Sequence, residues 1–338
     1  MRLLCDGLPI HLLYDNEKNS MLIAGGSRMG KTYFISNWTA SLIHLGKEVH
    51  FIELGGKWSS EDKQRLQSAG ADIRNVAEGL TLIFNSAEDL LNCAQYILNA
   101  LGIRSINAVA VLKKSFKKAL NISGNIFDLS TLMKILESTD GENEWAMKVC
   151  DRLDCCNEIY PIVFCVDSQK EFADTSIIWN LEGLEDAYVQ LIAYLITYCL
   201  FCKRRRSFKN DIIKKSYIII DEFQALNCDR HSIIGTCLTE GQKYGLSLIL
   251  ATQFLNGNFS DAVISQFKQG GFRFYFRLTE EEAAIISRQL AFDSKSRLEL
   301  YKQLIRLPVG HCLLIGPHMV GTRNTVSEDI RFIEISAD

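Results

Sequence analysis

At 338 residues, with 47% hydrophobic and 23% charged residues, the chain is long and apolar enough to bury a substantial core, which excludes a disordered or fibrous polypeptide. The formal net charge of -3 excludes a uniformly basic surface, so any nucleic-acid contact must come from local patches or from a ring of copies. The eleven cysteines form no repeated framework and no secretory leader follows Met1, a pattern that predicts a reducing, cytoplasmic setting.

In chain order, Met21-Leu22-Ile23 within Asn19 to Ala24 predicts a short apolar strand, followed by a glycine-rich turn and a helix from Lys31 through Leu45. Val49 to Leu54 reads as a second strand, completing a strand-helix-strand unit and implying a parallel sheet. From Leu90 to Arg152 the apolar spacing is helical, interleaved with Lys113, Lys114, Lys117 and Lys118. Further strands are predicted at Ile177 to Leu181, Tyr217 to Ile220 and Leu246 to Ala251, with a buried helix from Tyr188 to Phe201 between the first two. The apolar run Val189 to Phe201 has 13 residues, short of the roughly 20 that span a membrane. Phe272 to Leu278 alternates weakly, Glu280 to Leu290 is amphipathic and Gly310 to Gly316 suggests a closing strand. The expectation is an α/β protein whose mainly parallel sheet is flanked by helices: residues 1–89 and 171–338 form one core, and residues 90–170 form a helical insertion.

Gly25-Gly26-Ser27-Arg28-Met29-Gly30-Lys31-Thr32 fits the phosphate-binding pattern G-x-x-x-x-G-K-[ST], and it lies between a predicted strand and a predicted helix, the context that gives the motif meaning. Glycines let successive N–H groups and the helix N-terminus face phosphate oxygens where side chains would collide. Gly25 through Thr32, with Tyr33 following, are the nucleotide-binding candidates, and ATP with Mg²⁺ is the expected ligand. Lys31 is expected on the β and γ phosphates. Thr32 offers a hydroxyl to Mg²⁺, which keeps most of its waters and takes few protein ligands.

An acidic residue at the end of a buried strand should complete such a site, and Ile218-Ile219-Ile220-Asp221-Glu222 has that form. Asp221 is expected to reach the metal through water, with Glu222 orienting and deprotonating the attacking water. A kinase has less need of that second acid. Gln253, past the strand Leu246 to Ala251 and Thr252, is placed to sense the γ phosphate and position water.

Taken together, Gly25 to Thr32, Asp221-Glu222-Phe223-Gln224-Ala225-Leu226, and Glu240-Gly241-Gln242-Lys243-Tyr244-Gly245 leading to Ala251-Thr252-Gln253 resemble the HerA/FtsK superfamily of ring-forming motor ATPases. Ile178 to Leu184 looks like that family's strand before its long helix, and Leu307 to Gly316 like its closing strand. The resemblance implies a RecA-like core, a hexameric ring with ATP hydrolysed at subunit interfaces, and translocation of double-stranded DNA. It also implies a nearly bare motor core, with any targeting or cutting supplied by a separate effector or nuclease protein or by the inserted helices. The chain departs from the family at Gln242, where an arginine commonly reaches the neighbouring subunit's nucleotide. Lys243, Arg273, Arg277 and Arg288 are the candidates to replace it, and slow hydrolysis, as in an ATP-dependent assembly switch, is the alternative.

Lys203-Arg204-Arg205-Arg206, with Lys209, Lys214 and Lys215 nearby, is the densest basic run; it reads either as a DNA-phosphate contact or as a solvated connection. The four lysines at 113–118 read as a solvated face. Trp38, Trp58, Trp145 and Trp179 show no stacking pattern and are expected in the core or an interface. The Cys-x-x-Cys at Cys199 to Cys202 lies in an apolar helical stretch with no second pair and the Cys155-Cys156 doublet has no partnering histidines, so neither metal binding nor redox work is expected of them.

Overall fold

The computed structural model describes residues 1–12, 20–54, 58–140, 144–157, 161–173, 175–210, 215–226, 228–229, 231–255, 271–321 and 326–336. Fifteen strands occur among them: β1 (Arg2–Cys5), β2 (Leu8–Leu12), β3 (Met21–Ala24), β4 (Glu48–Glu53), β5 (Asp72–Asn75), β6 (Leu80–Phe84), β7 (Ile126–Asp128), β8 (Ile162–Val166), β9 (Ile177–Asn180), β10 (Ser216–Asp221), β11 (Leu246–Thr252), β12 (Phe272–Tyr275), β13 (His311–Ile315), β14 (His318–Val320) and β15 (Arg331–Ser336). The α-helices are α1 (Lys31–His44), α2 (Ser60–Ser68), α3 (Ala87–Ala100), α4 (Ile106–Ser123), α5 (Leu129–Asp140), α6 (Glu144–Asn157), α7 (Asp186–Lys209), α8 (Ile233–Glu240), α9 (Glu280–Leu290) and α10 (Ser294–Leu304).

Twelve strands form one sheet in the order β14-β2-β1-β15-β13-β12-β3-β11-β10-β4-β9-β5. From β12 to β5 every neighbouring pair is parallel. From β12 back to β14 every pair is antiparallel. The parallel strands are apolar on both faces because both are covered. Ile218, Ile220, Leu248 and Leu250 face a core shared with α7, α3 and α8. Tyr217, Ile219, Ile249 and Ala251 face the opposite core with Phe34 and Ile35 of α1. A third cluster under α9 and α10 closes the antiparallel side through Ala283, Ile286, Leu300 and Leu304.

The expected strands and helices of this core are present, with α7 extending beyond the predicted stretch at both ends. The helical stretch after Leu90 holds α3 to α6, and it also contains a strand that periodicity does not reveal. That strand, β7, joins β6 and β8 in a separate three-stranded sheet, parallel between β6 and β8 and antiparallel between β8 and β7. Phe127 and Phe164 stack across it with centroids 5.3 Å apart, and Phe116 of α4 meets Phe164 edge-on at 5.5 Å. Tyr198 ties α7 to this unit by donating a 2.9 Å hydrogen bond to the Asp89 carbonyl. Also not anticipated are the β1–β2 hairpin, α2, β5, β6, α8, α10, β14 and β15, together with β8, which lies within the 90–170 segment expected to be helical.

The first two residues of the basic run after Cys202 are not solvated. Residues 203–206 and Lys209 are the last part of α7, where Lys203 and Arg204 are only 4% and 2% exposed, Arg205 and Arg206 are half-buried and Lys209 is exposed. Lys203 Nζ lies 3.1 Å from Glu48 Oε1 and also donates to the Ala173 carbonyl, while Arg204 approaches Glu48 Oε2 at 3.8 Å. Arg205 pairs with Asp89 at 2.5 Å and Arg206 donates to Asn85. Lys214 lies outside the described residues, as do the side chains of Cys155 and Cys156, while Cys199 and Cys202 are buried in α7. Among the described residues no helix is long and apolar enough to cross a membrane.

Removing one partner of a buried ion pair strands the other charge. Lys203→Ala is therefore expected to destabilise the fold by about 3 kcal/mol. Urea unfolding measures this, and a variant as stable as the parent would show that the pair does not anchor α7 to β4.

Candidate nucleotide site

The site is assembled by strand order. β3 leads into the glycine loop, β10 ends at Asp221, and β11 lies between them, with Thr252 paired to Ala24 and Leu250 to Ile220. The three strands are parallel, so their C-terminal ends lie on one edge and place Gln253 between the loop and Glu222.

The loop needs glycine where it passes its neighbours. A Cβ on Gly25, at φ +149°, would lie 2.6 Å from Phe276 Cβ, and Gly30 turns into α1 at φ +102°. The Gly25 N–H donates to the Thr252 carbonyl and the Gly26 N–H to the Arg277 carbonyl at 2.8 Å. Gly310 donates to the Met29 carbonyl at 3.1 Å, fixing the outer side of the loop. The backbone N–H groups of residues 27–30 make no hydrogen bond to any described residue, a run of donors at a helix start that suits an anion. Ser27 and Arg28 are exposed and Thr32 is half-buried in the first turn of α1. Tyr33 turns toward α2, its ring 5.7 Å from the Arg65 guanidinium.

Lys31 is buried, its ammonium donating to the Gly25 carbonyl at 2.6 Å and the Gly26 carbonyl at 2.9 Å. Burial lowers its pKa against the opposing pull of Glu222, Asp221 and Glu282.

Asp221 is 6% exposed. Its Oδ2 accepts from the Trp58 indole N–H at 3.1 Å and its Oδ1 from the Glu222 backbone N–H at 3.0 Å. Burial, with the charge of Glu222 acting in the same direction, raises its pKa to about 6 despite those hydrogen bonds.

Glu222 sits in the left-handed backbone region at φ 58°, ψ 38°, a conformation costing a non-glycine residue roughly 1–2 kcal/mol. The turn directs its carboxylate back toward β11. There Gln253 donates to Oε1, and Gln224 donates to Oε2 at 2.5 Å. The Gln224 side-chain oxygen in turn lies 2.7 Å from the hydroxyl of fully buried Thr252. Sequence reasoning placed Glu222 and Gln253 in the site but gave no role to Gln224, Trp58 or Glu282. Glu282 stands in a capping box with Thr279 and accepts from the Leu255 N–H, anchoring the chain just past Gln253. The T-x-x-E spacing at 279–282 is a readable signal for the cap; nothing in the sequence links Trp58 to Asp221.

Of the candidates to replace the arginine, Arg277 adjoins the loop through its backbone carbonyl, and none of the four side chains is hydrogen-bonded to Lys31, Asp221 or Glu222 among the described contacts. Gln242 is 3.5 Å from Ser20 at the start of β3, the opposite edge of the sheet, and Lys243 lies over Tyr244. Arg277 donates to the Leu307 carbonyl at 2.6 Å, Arg288 donates to the Ala284 carbonyl, and Arg273 is on β12.

No protein-family model and no curated protein matches the sequence. Solved structures do. VirB4 of Thermoanaerobacter pseudethanolicus superposes with a TM-score of 0.68 at 14% identity, over 95% of this chain and 90% of that one. The plasmid coupling protein TrwB in complex with ADP and Mg²⁺ gives 0.60 at 13%, over 99% and 89%. With the non-hydrolysable GTP analogue GDPNP it gives 0.62 at 14%, again over 99% and 89%. The fold is that of a P-loop NTPase. It is the RecA-like core expected from the HerA/FtsK resemblance, with a mainly parallel sheet flanked by helices.

The raised pKa of Asp221 sets a stability prediction for the nucleotide-free protein. A folded pKa of about 6 against an ordinary 3.8 means that the buried carboxylate destabilises the fold fully above pH 6 and not at all below about pH 3.8. Asp221→Asn should therefore relieve a penalty of about 3 kcal/mol at pH 7.5, offset by a pH-independent loss where the Asn amide faces one of the two N–H donors. That relief should shrink as the pH falls through 6 toward 4, as read from melting temperatures of variant and parent across that range. A pH-independent difference would place the effect elsewhere.

Proposed function

We propose that this chain is an ATP-hydrolysing motor subunit of the HerA/FtsK kind, which assembles into a ring, with six copies expected, and acts on double-stranded DNA with partner proteins. The observation that carries the reading is the Glu222 carboxylate, held by Gln253 on the same sheet edge as Lys31 and Asp221. A binding protein has no need of a second, strained acid there.

Lys31 exchanges the Gly25 and Gly26 carbonyls for the β and γ phosphates, and the N–H groups of residues 27–30 take the remaining phosphate oxygens. The Thr32 hydroxyl and Asp221 are the groups that would hold Mg²⁺. A hydroxyl and a buried carboxylate suit a hard cation that keeps its waters, and TrwB carries ADP and Mg²⁺ on the same fold. When bound, that ion neutralises charge on the phosphate oxygens. Glu222 accepts a proton from water as the water oxygen bonds to the γ phosphorus and the bond to the bridging oxygen of ADP breaks. Gln253 and Gln224 each donate to one Glu222 oxygen, which leaves one further lone pair on each oxygen to take the proton, and Gln253 releases its oxygen as the water enters. Gln253 then has its amide free to hold the water.

The ring is supported by where the finger segment lies. Gln242 is at the far edge of the sheet, roughly 16 Å from the loop by the rise of β3, so this segment can serve only a neighbour's nucleotide. The position of Gln242 also motivates the second reading, a nucleotide-dependent assembly switch. The buried free thiols of the described cysteines suit a reducing cytoplasm.

Steady-state ATP hydrolysis with and without double-stranded DNA tests the proposal, with Lys31→Ala as the blank. DNA-stimulated turnover is expected, and ATP binding without turnover under both conditions would select the switch. Glu222→Gln should retain ATP binding and lose about 10² to 10⁴ of the rate, the range of general-base catalysis; full turnover would remove Glu222 as the base. If Gln242 occupies the finger position, Gln242→Arg should raise turnover at concentrations where the ring forms and leave it unchanged in dilute monomer. No rise in the ring would move the finger to another residue.

A further inference from the structure

Asp221 owes its orientation to a residue 163 positions earlier. Trp58 is 8% exposed and packs its ring 4.2 Å, centroid to centroid, from Phe51 of β4. Its backbone N–H donates to Glu53 Oε1 at 3.0 Å, and its indole N–H to Asp221 Oδ2 at 3.1 Å. Glu53 ends β4 and pairs in register with Asp221 of β10. It is 1% exposed, and its other oxygen lies 3.3 Å from Lys63 of α2, which also reaches Glu182 at 3.6 Å. Two carboxylates thus end adjacent strands, and Trp58 contacts both, through its backbone with one and through its side chain with the other.

Lys63 forms an ion pair with Glu53, and among the described ion pairs none involves Asp221. The carboxylate of Asp221 accepts one donor on each oxygen, Trp58 on one and the Glu222 backbone on the other. Two donors on opposite oxygens fix the plane of a carboxylate and leave one further lone pair on each oxygen. The Glu222 N–H is part of the chain and moves only with the backbone. The Trp58 indole is the side-chain donor of the pair, and its place is set by Phe51 and Glu53, outside the nucleotide loop.

We propose that Trp58 is a positioning residue for the metal-binding carboxylate, holding Asp221 in the orientation that presents its remaining lone pairs to the hydrated Mg²⁺ of a bound nucleotide. This rests on the reading of Asp221 as the metal-site acid. Outer-shell donors orient ligands and commonly change metal affinity ten-fold or more when removed. Trp58 also links the site to α2 through Glu53 and Lys63, so a shift of that surface changes the presentation of Asp221 without touching the nucleotide.

Trp58→Phe keeps an aromatic ring against Phe51 and removes the N–H. Calorimetric titration of Mg²⁺ into ATP-bound protein should show the half-saturating Mg²⁺ concentration raised about ten-fold, with ATP affinity in EDTA unchanged. Asp221→Asn is titrated in parallel. If it shifts the Mg²⁺ midpoint and Trp58→Phe does not, the positioning role is overturned while the metal-site reading stands. If neither shifts it, that reading falls and the positioning role with it. A second measurement needs no variant to stay folded with its site intact. In wild-type protein labelled with 5-fluorotryptophan, the Trp58 resonance should move when Mg²⁺ is added to the ATP-bound form, more than those of Trp38, Trp145 and Trp179. A Trp58 signal unaffected by Mg²⁺ overturns the proposal.

Discussion

The order of three parallel strands, with β11 between β3 and β10, is the constraint on which the rest of the site depends. Parallel pairing puts every strand's C-terminal end on one edge, and the register of Thr252 with Ala24 and Leu250 with Ile220 fixes what meets there. A one-residue slip of β11 would turn Thr252 and Gln253 to opposite faces and separate Gln253 from Glu222. The register is held by burial on both faces: Leu248 and Leu250 go to one core and Ile249 and Ala251 to the other, so a slipped strand would have to exchange these sets.

Placing so much charge on that edge has consequences that the local structure absorbs. Lys31 turns onto two carbonyls of its own loop, Asp221 is capped by an indole and a backbone N–H, and Glu222 is held between two glutamine amides. Each of these polar groups is hydrogen-bonded, Lys31 and Glu222 through flexible side-chain contacts and Asp221 through an indole and a backbone N–H that fix its orientation. The left-handed turn at Glu222 is the strained element, and it separates the roles of two adjacent acids by sending one carboxylate toward β4 and the other toward β11. On the opposite edge, Gln242 beside Ser20 is out of reach of its own loop. A single chain therefore brings together Glu222, Lys31 and Asp221, but not Gln242.

The basic stretch of α7 shows how tertiary structure can reverse the meaning of a charge run. Lys203 and Arg204 converge on Glu48 at the start of β4, burying four methylenes or three beneath each cationic head, and Arg205 reaches Asp89 in α3. These pairs tie α7 to the sheet and to the unit built around β6, β7 and β8. Burial opposes ionisation of Glu48, but its hydrogen bond with His50 and the Lys203 ammonium outweigh it and hold the carboxyl well below the usual range. Lys203 and Arg204, buried inside the fold, fix helix position instead of presenting charge to solvent.

By itself the sequence determined the elements whose signals are local: the glycine loop between a strand and a helix, the apolar runs that became β3, β4, β9, β10 and β11, and the acids at the end of β10. Glycine spacing, strand length and a carboxylate after four apolar residues depend on neighbours in the chain and are readable there. Tertiary structure alone decided which strands adjoin, and so that Gln253 meets Glu222, that Gln224 bridges Thr252 to Glu222, and that Trp58 caps Asp221. Periodicity could not reveal β7, whose three residues become a strand only by pairing with β8 more than thirty residues later. It could not tell a solvated lysine from Lys203 either, because the partner, Glu48, is 155 residues away. Each of these contacts is long-range, and its energy comes from burial that no window along the chain contains.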